Sequence, residues 1–267
     1  MKVSQCLAAM ALLAAQSSAI SILLPLYVYP EDSLAAWNSA GLFSTIAAYP
    51  DVQWQIIVNP ASGPGNTSAN PYPDSNYIAG ISKLNSYSNV QTIGYVDTAT
   101  GGRPYSSVTA DIQAYANWAN YSPKNIAVKG IFFDDFTVST TQASYTYASN
   151  ITNYAHEHVS GASVIFNPGG LSPVKYFDYA DTIVEFENYY SDYASPKTIS
   201  SISASGAPLG NSAVLIHDTT ATSATIDSLV HTLNADGVEF IYFTQDCCYN
   251  AINAAFLLSL AAAVNAG

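Results

Sequence analysis

Short apolar runs rich in β-branched and aromatic residues recur about every 30 residues along the chain, with amphipathic stretches between them. Eight such runs predict strands: Ile22–Tyr29, Val52–Asn59, Val90–Asp97, Val128–Asp135, Ala162–Asn167, Thr182–Glu187, Ala213–His217 and Val238–Thr244. Their near-continuous hydrophobicity is that of parallel strands buried on both faces. Helices are predicted in the gaps. Ser33 reads as the N-cap of a helix running to Tyr49, with Leu34, Trp37, Leu42 and Ile46 as its apolar stripe. Tyr77–Tyr87, Ser106–Ala119, Thr140–Val159, Pro173–Ala180, Pro196–Ala204, Thr222–Ala235 and Ala251–Val264 follow. Eight β-α pairs in about 250 residues predict an α/β fold, a single-domain (β/α)8 TIM barrel over residues 20–267. The rival, an open doubly wound sheet, usually carries a phosphate-binding glycine turn after its first strand. Here the first strand runs into Tyr29-Pro30-Glu31-Asp32, and Gly63-Pro64-Gly65 has the wrong place and spacing. The Gly/Pro/Asn-rich stretch from Asn59 to Asp74 reads as a long surface loop, not a linker.

Composition narrows the partners. The 267 residues are 49% hydrophobic and 10% charged, which excludes disorder. Seven Lys/Arg against 19 Asp/Glu give a net charge of −12, so nucleic acid and anionic membrane surfaces are excluded as partners. Residues 1–19 read as a secretory signal: Lys2, an apolar run from Leu7 to Ala15, and Ser17-Ser18-Ala19 as a cleavage site. The run is too short for a membrane span, which needs about 20 residues. The apolar tail Ala255–Val264 reads as a last barrel helix, because it lacks the polar spacer of a lipid-anchor signal. The protein is expected outside the cell, as a monomer. Three N-x-Ser/Thr sequons, at Asn66, Asn120 and Asn150, are candidate glycosylation sites. Loss of the signal removes Cys6 and leaves the adjacent pair Cys247 and Cys248, for which a vicinal disulfide is favoured over pairing with another chain or free thiols. No metal and no cofactor are expected. Adjacent thiols lack ligand spacing, His156 and His158 point different ways on one helix, and no H-E-x-x-H, G-x-S-x-G or phosphate-loop motif occurs.

In such a barrel the site lies at the C-terminal ends of the strands. In order, the predicted strands end at Tyr29, Asn59, Tyr95 with Asp97, Asp134-Asp135, Asn167, Glu185 with Glu187, and His217-Asp218, and the eighth leads into Gln245-Asp246. Polar side chains at nearly every end of one polarity converge on one mouth. Gly130-Ile-Phe-Phe-Asp-Asp-Phe136 and Ile183-Val-Glu-Phe-Glu-Asn188 each place carboxylates directly after a buried strand. Carboxylates on strands four and six would flank a scissile glycosidic bond, one at the anomeric carbon and one at the leaving oxygen. The structural alternative makes these acids helix N-caps or cation partners. Too few cations exist to pair them, and crowded acids raise one another's pKa. Tyrosine, 20 in all, suits stacking on sugars. Tyr29, Asn59, Tyr95, Asp97, Asn167, Tyr189, His217 and Asp246 are the candidate substrate-binding residues.

The stretches Leu24-Pro-Leu-Tyr-Val-Tyr-Pro30, Val58-Asn-Pro-Ala-Ser-Gly-Pro-Gly65, Gly94-Tyr-Val-Asp97, Gly130-Ile-Phe-Phe-Asp-Asp135, Phe166-Asn-Pro-Gly169, Phe186-Glu187 and Asp246-Cys-Cys-Tyr-Asn250 together resemble the spherulin-4-like proteins, classed as glycoside hydrolase family 135. The resemblance covers nearly the whole chain after the signal. It implies a secreted or cell-surface (β/α)8 glycosidase, endo-acting on α-1,4-linked N-acetylgalactosamine stretches of galactosaminogalactan. It places the family's strand-four acidic pair on Asp134 and Asp135 and its strand-six glutamate on Glu187; the expected division has Asp134 as nucleophile or oxocarbenium stabiliser, Glu187 as general acid/base, and Asp135 tuning their charge or binding substrate. Asp135 departs from relatives, which often carry Glu there. The acidic balance adds that a partly deacetylated, cationic polymer would be steered to the cleft. Two other readings fit the barrel and the tyrosines: a non-catalytic wall or spore-coat protein that binds polysaccharide, and a glycosidase of a different α-linked glycan.

Overall fold

The apolar runs fold as eight parallel strands, each hydrogen-bonded to the next until the eighth meets the first and closes a barrel. The computed structural model describes residues 19–67, 69–193 and 197–267, so the predicted signal up to residue 18 and the start of the predicted sixth helix at Pro196 lie outside the described residues. The strands are β1 Ser21–Leu26, β2 Trp54–Val58, β3 Val90–Asp97, β4 Gly130–Asp134, β5 Ser163–Phe166, β6 Thr182–Tyr189, β7 Ser212–His217 and β8 Phe240–Phe243. The helices are α1 Ala35–Ser39, α2 Leu42–Ala48, α3 Ser75–Leu84, α4 Tyr105–Trp118, α5 Gln142–His158, α6 Lys197–Ser205, α7 Ser223–Ala235 and α8 Ala254–Ala266. Asp74, Thr141, Thr222 and Asn253 cap α3, α5, α7 and α8, each accepting a backbone N–H with its side chain.

The predicted first helix is broken. Glu31, Ser33 and Leu34 all take positive φ, so Ser33 caps nothing, and Gly41 at φ 66 divides α1 from α2. Leu34 and Trp37 are nevertheless buried, as the apolar stripe requires. Pro173–Ala180 forms only a 3-10 turn over Val174–Asp178, because Pro173 and Tyr179 hold non-helical backbone on either side.

Register decides what faces the barrel interior. Residues paired across parallel strands point to the same side of the sheet. Tyr95 pairs with Phe132, Asp97 with Asp134, and Phe132 with Ile165, so Asp134 stands one step above the apolar interior and Asn167 continues the same face of β5. The alternate residues face the helices. On that side Gly94 passes under the Tyr115 ring, where a Cβ would come within 2.8 Å of ring carbons.

Strand β6 departs from this regularity. Val184 pairs with Ala213 but Phe186 pairs with Val214, leaving Glu185 as a bulge. Without the extra residue Glu187 would pair with Ile216 and point at the helices. With it, Glu187 pairs with Leu215, which shares its face with His217, and enters the mouth.

At the opposite end of the barrel the Thr182 hydroxyl donates to Glu239 Oε2 at 2.8 Å. Burial, with Asp181 nearby, pushes the Glu239 carboxyl up to about 7 against the Thr182 bond. A carboxyl raised in the folded state adds stability below its unfolded pKa and loses it as pH climbs through the folded one. The melting temperature should therefore fall between pH 5 and 8, and Glu239→Gln, neutral throughout, should flatten that slope. A slope unchanged in thermal melts of the variant would refute this.

Candidate active site

Three neighbouring strands deliver the centre of the mouth. Asp134 ends β4, Asn167 follows β5, and Glu187 lies near the end of β6. The backbone N–H of Gly169 donates to Asn167 Oδ1 at 3.0 Å, which turns the amide nitrogen the other way. That one nitrogen donates to Asp134 Oδ1 at 2.8 Å and to Glu187 Oε2 at 2.7 Å. The two acceptor oxygens therefore cannot be more than 5.5 Å apart, the two bonds laid end to end.

More donors converge on Asp134 than on Glu187. Besides Asn167, the backbone N–H of Asp135 and the Tyr95 hydroxyl serve it. Burial nonetheless dominates and, with Tyr95, Asp135 and Asn167 pulling down and the Glu187 charge pushing up, raises Asp134 to about 6. Tyr27 packs edge-on against Tyr95 at 5.6 Å and against Tyr249 at 5.9 Å between ring centres. Burial first, then the charges of Asp134 and Glu187, raise the Tyr27 phenol. The Tyr249 hydroxyl is buried beside Glu187, and burial first, then the charge and hydrogen bond of Glu187, raise its phenol. His217 contacts the rings of Tyr189 and Tyr249, and its Nδ1 lies 2.8 Å from Asp218 Oδ2. Tyr189 is 50% exposed, an open aromatic face at the rim.

The structure thus gathers Asp134, Glu187, Asn167, Tyr95, His217 and Tyr189. Asn167, expected to bind substrate, instead commits its amide to the two acids. Asp135 does not join them. It takes φ 47 beyond β4, its carboxylate is exposed, and Thr100 Oγ1 donates to it at 3.1 Å. The Asn59 and Asp246 side chains are occupied by their own loops, Asn59 accepting from Gly63 N–H and Asp246 from the N–H groups of Asn250 and Ala251. Asp97 accepts from Ala99 N–H at the rim beside Asp134. Tyr29 lies outside the centre, its hydroxyl accepting from Asn76, whose amide also reaches Asp32. Tyr27 and Tyr249, which the sequence sets among the tyrosines on or just beyond strand ends but not among the eight candidate substrate-binding residues, complete the lining. The only signal was their abundance near strand ends, which many packing tyrosines share.

The vicinal bridge expected between Cys247 and Cys248 is not formed. Both thiols are free and exposed, and Cys248 beside it pushes Cys247 up to about 11. Asn66, Asn120 and Asn150 are exposed. Among the described residues no helix is long and apolar enough to cross a membrane, and no three His, Cys, Asp or Glu side chains are grouped as metal ligands.

Residues 21–264 match the model of Spherulation-specific family 4. Spherulin-4 of Physarum polycephalum is 32% identical over 263 residues, which are 95% of this chain and 72% of that protein. Among solved structures, Aspergillus clavatus Sph3 in complex with GalNAc is similar with a TM-score of 0.84 at 29% identity, covering 92% of this chain and 97% of that one. A chitinase from Bacteroides thetaiotaomicron, at 8% identity and a TM-score of 0.57 over 92% and 96% of the two chains, shares the barrel alone.

Proposed function

The chain belongs to Spherulation-specific family 4, and on that premise we propose that it is a secreted glycoside hydrolase that cuts α-1,4-linked N-acetylgalactosamine or galactosamine polysaccharide internally. The observation that carries the reading is the pair of carboxylates hung on one amide, no more than 5.5 Å apart at the bonded oxygens. Double-displacement glycosidases hold their carboxyl groups about 5–5.5 Å apart, whereas inverting ones leave room for a water at about 6.5–9.5 Å. The choice of sugar is supported by the GalNAc complex of the similar Sph3 structure.

The hydrogen bonds divide the labour. Three donors favour the anion of Asp134, which makes it the nucleophile at the anomeric carbon. Glu187, served by Asn167 and by the Tyr249 hydroxyl, carries the proton to the leaving oxygen and then takes one from water. Tyr189 and His217 offer faces to the sugar ring, and the Tyr249 hydroxyl stands beside Glu187. Asp135, held by Thr100, serves through its backbone N–H.

Incubation with α-linked galactosamine, N-acetylgalactosamine and glucan polymers should release new reducing ends only from the first two, and the first-formed anomer, followed by NMR, should be α. Binding with no new reducing ends would mean a polysaccharide-binding coat protein. A β product would overturn the double displacement.

A pH profile tests Asp134. As nucleophile it must be ionised, so kcat/KM should fall as pH drops below about 6. Tyr95→Phe removes a bond that lowers this pKa, so the acid limb should move up, by roughly half to one unit. A limb that stays put or moves down excludes Tyr95 from this role.

A further inference from the structure

Glu185 is buried, 1% exposed, on the helix side of the barrel wall, and among the described residues no Lys or Arg forms an ion pair with it. Its partners are the backbone N–H of Ser172, at 3.3 Å to both carboxyl oxygens, and the Ser172 hydroxyl, which donates to Oε1. Ser172 belongs to the loop that begins at Asn167. That loop is therefore fastened twice: inside the wall through Asn167 to Asp134 and Glu187, and outside it through Ser172 to Glu185. A cavity of ≈ 310 Å³ borders Gly169, Gly170 and Leu171 in the middle of the loop. Glu185 is also the extra residue of β6, the one whose insertion turns Glu187 into the mouth.

We infer that Glu185 is a positioning residue: by clamping Ser172 it stabilises the bulge of β6 and sets the distance from Glu187 to the Asn167 amide. The bulge would otherwise compete with regular pairing, in which Glu187 faces the helices. An apolar side chain at 185 would leave the Ser172 N–H and hydroxyl without these bonds and remove the polar contacts that hold the extra residue outward. Only the kinetic consequence rests on the glycosidase reading, since the positioning itself is visible without substrate.

The test compares Glu185→Met, which fills the space but accepts no hydrogen bond, with Glu185→Gln, which keeps an acceptor for Ser172 and removes the charge. Carboxyl 13C NMR of the full chain follows the titration of Asp134. In Glu185→Met, Glu187 withdraws from Asn167 and the Asp134 midpoint should drop, because the neighbouring charge that raises it has moved away. In Glu185→Gln it should stay near the wild-type value. With an active substrate, kcat should fall about 100-fold in the Met variant with KM nearly constant, as expected for a misplacement of about 1 Å, and most of kcat should return in the Gln variant. A folded Glu185→Met protein with wild-type Asp134 titration overturns the inference. So does a Gln variant as impaired as the Met one. If Glu185→Met does not fold, Ser172→Ala carries the same comparison, with a smaller drop expected and an unchanged titration counting against the clamp. If the wild type hydrolyses nothing, the glycosidase reading fails while the titration still decides this one.

Discussion

Asp134→Asn should abolish turnover and at the same time raise the melting temperature at pH 8. The first effect follows from its proposed place at the anomeric carbon, and removal of a nucleophile costs roughly 10⁴-fold or more in kcat. The second follows from burial. Asp134 is held at about 6 in the fold against an ordinary 3.8. A raised carboxyl costs stability once pH exceeds its folded pKa, by an upper bound of about 3 kcal/mol here. Asparagine keeps an oxygen for the Asn167 amide and carries no charge, so the gain at pH 8 should be several degrees for a domain of this size and vanish near pH 4. Calorimetry at the two pH values checks the sign. A variant less stable than wild type at pH 8 would mean that the three donors more than offset desolvation, and Asp134 would then not be the strained group described above.

Glu187→Ala should separate the two chemical steps. A general acid contributes roughly 10²–10⁴-fold, and most to substrates with poor leaving groups. Polysaccharide cleavage should therefore fall by that range, whereas an aryl glycoside with an acidic phenol should still transfer its sugar to the enzyme. Azide, needing no general base, should then restore turnover and give the glycosyl azide of retained configuration. An azide product of inverted configuration would exchange the roles of Asp134 and Glu187. Full polysaccharide activity in the variant would remove Glu187 from the mechanism.

Much of this site is legible in the sequence because parallel barrel strands are buried on both sides. Such strands read as unbroken apolar runs, so the first polar residue after each run marks the mouth. Asp134 after Gly130-Ile-Phe-Phe133 and Asn167 after Val164-Ile-Phe166 follow that rule. The rule fails where the backbone leaves its period. Strict alternation puts Glu185 and Glu187 on one face, yet the bulge buries the first against Ser172 and turns the second inward. Asp135 follows Asp134 in sequence but sits in left-handed backbone that carries it out. Asn59 and Asp246 are polar strand-end residues whose own turns use them up, a local competition that composition does not reveal. The break at Gly41 in the first helix is of the same kind: the stripe of buried residues is right, but one positive-φ glycine divides it.

The single amide between the two acids also limits what can bind. Both of its hydrogens are taken, and the residues around it, Tyr27, Tyr95, Tyr189, His217, Asp218 and Tyr249, include no lysine or arginine. A glycan bearing uronate or sulfate groups would set a further negative charge beside the pair. On the proposed reading, that repulsion disfavours pectin-like and sulfated chains before any fit of linkage or ring stereochemistry.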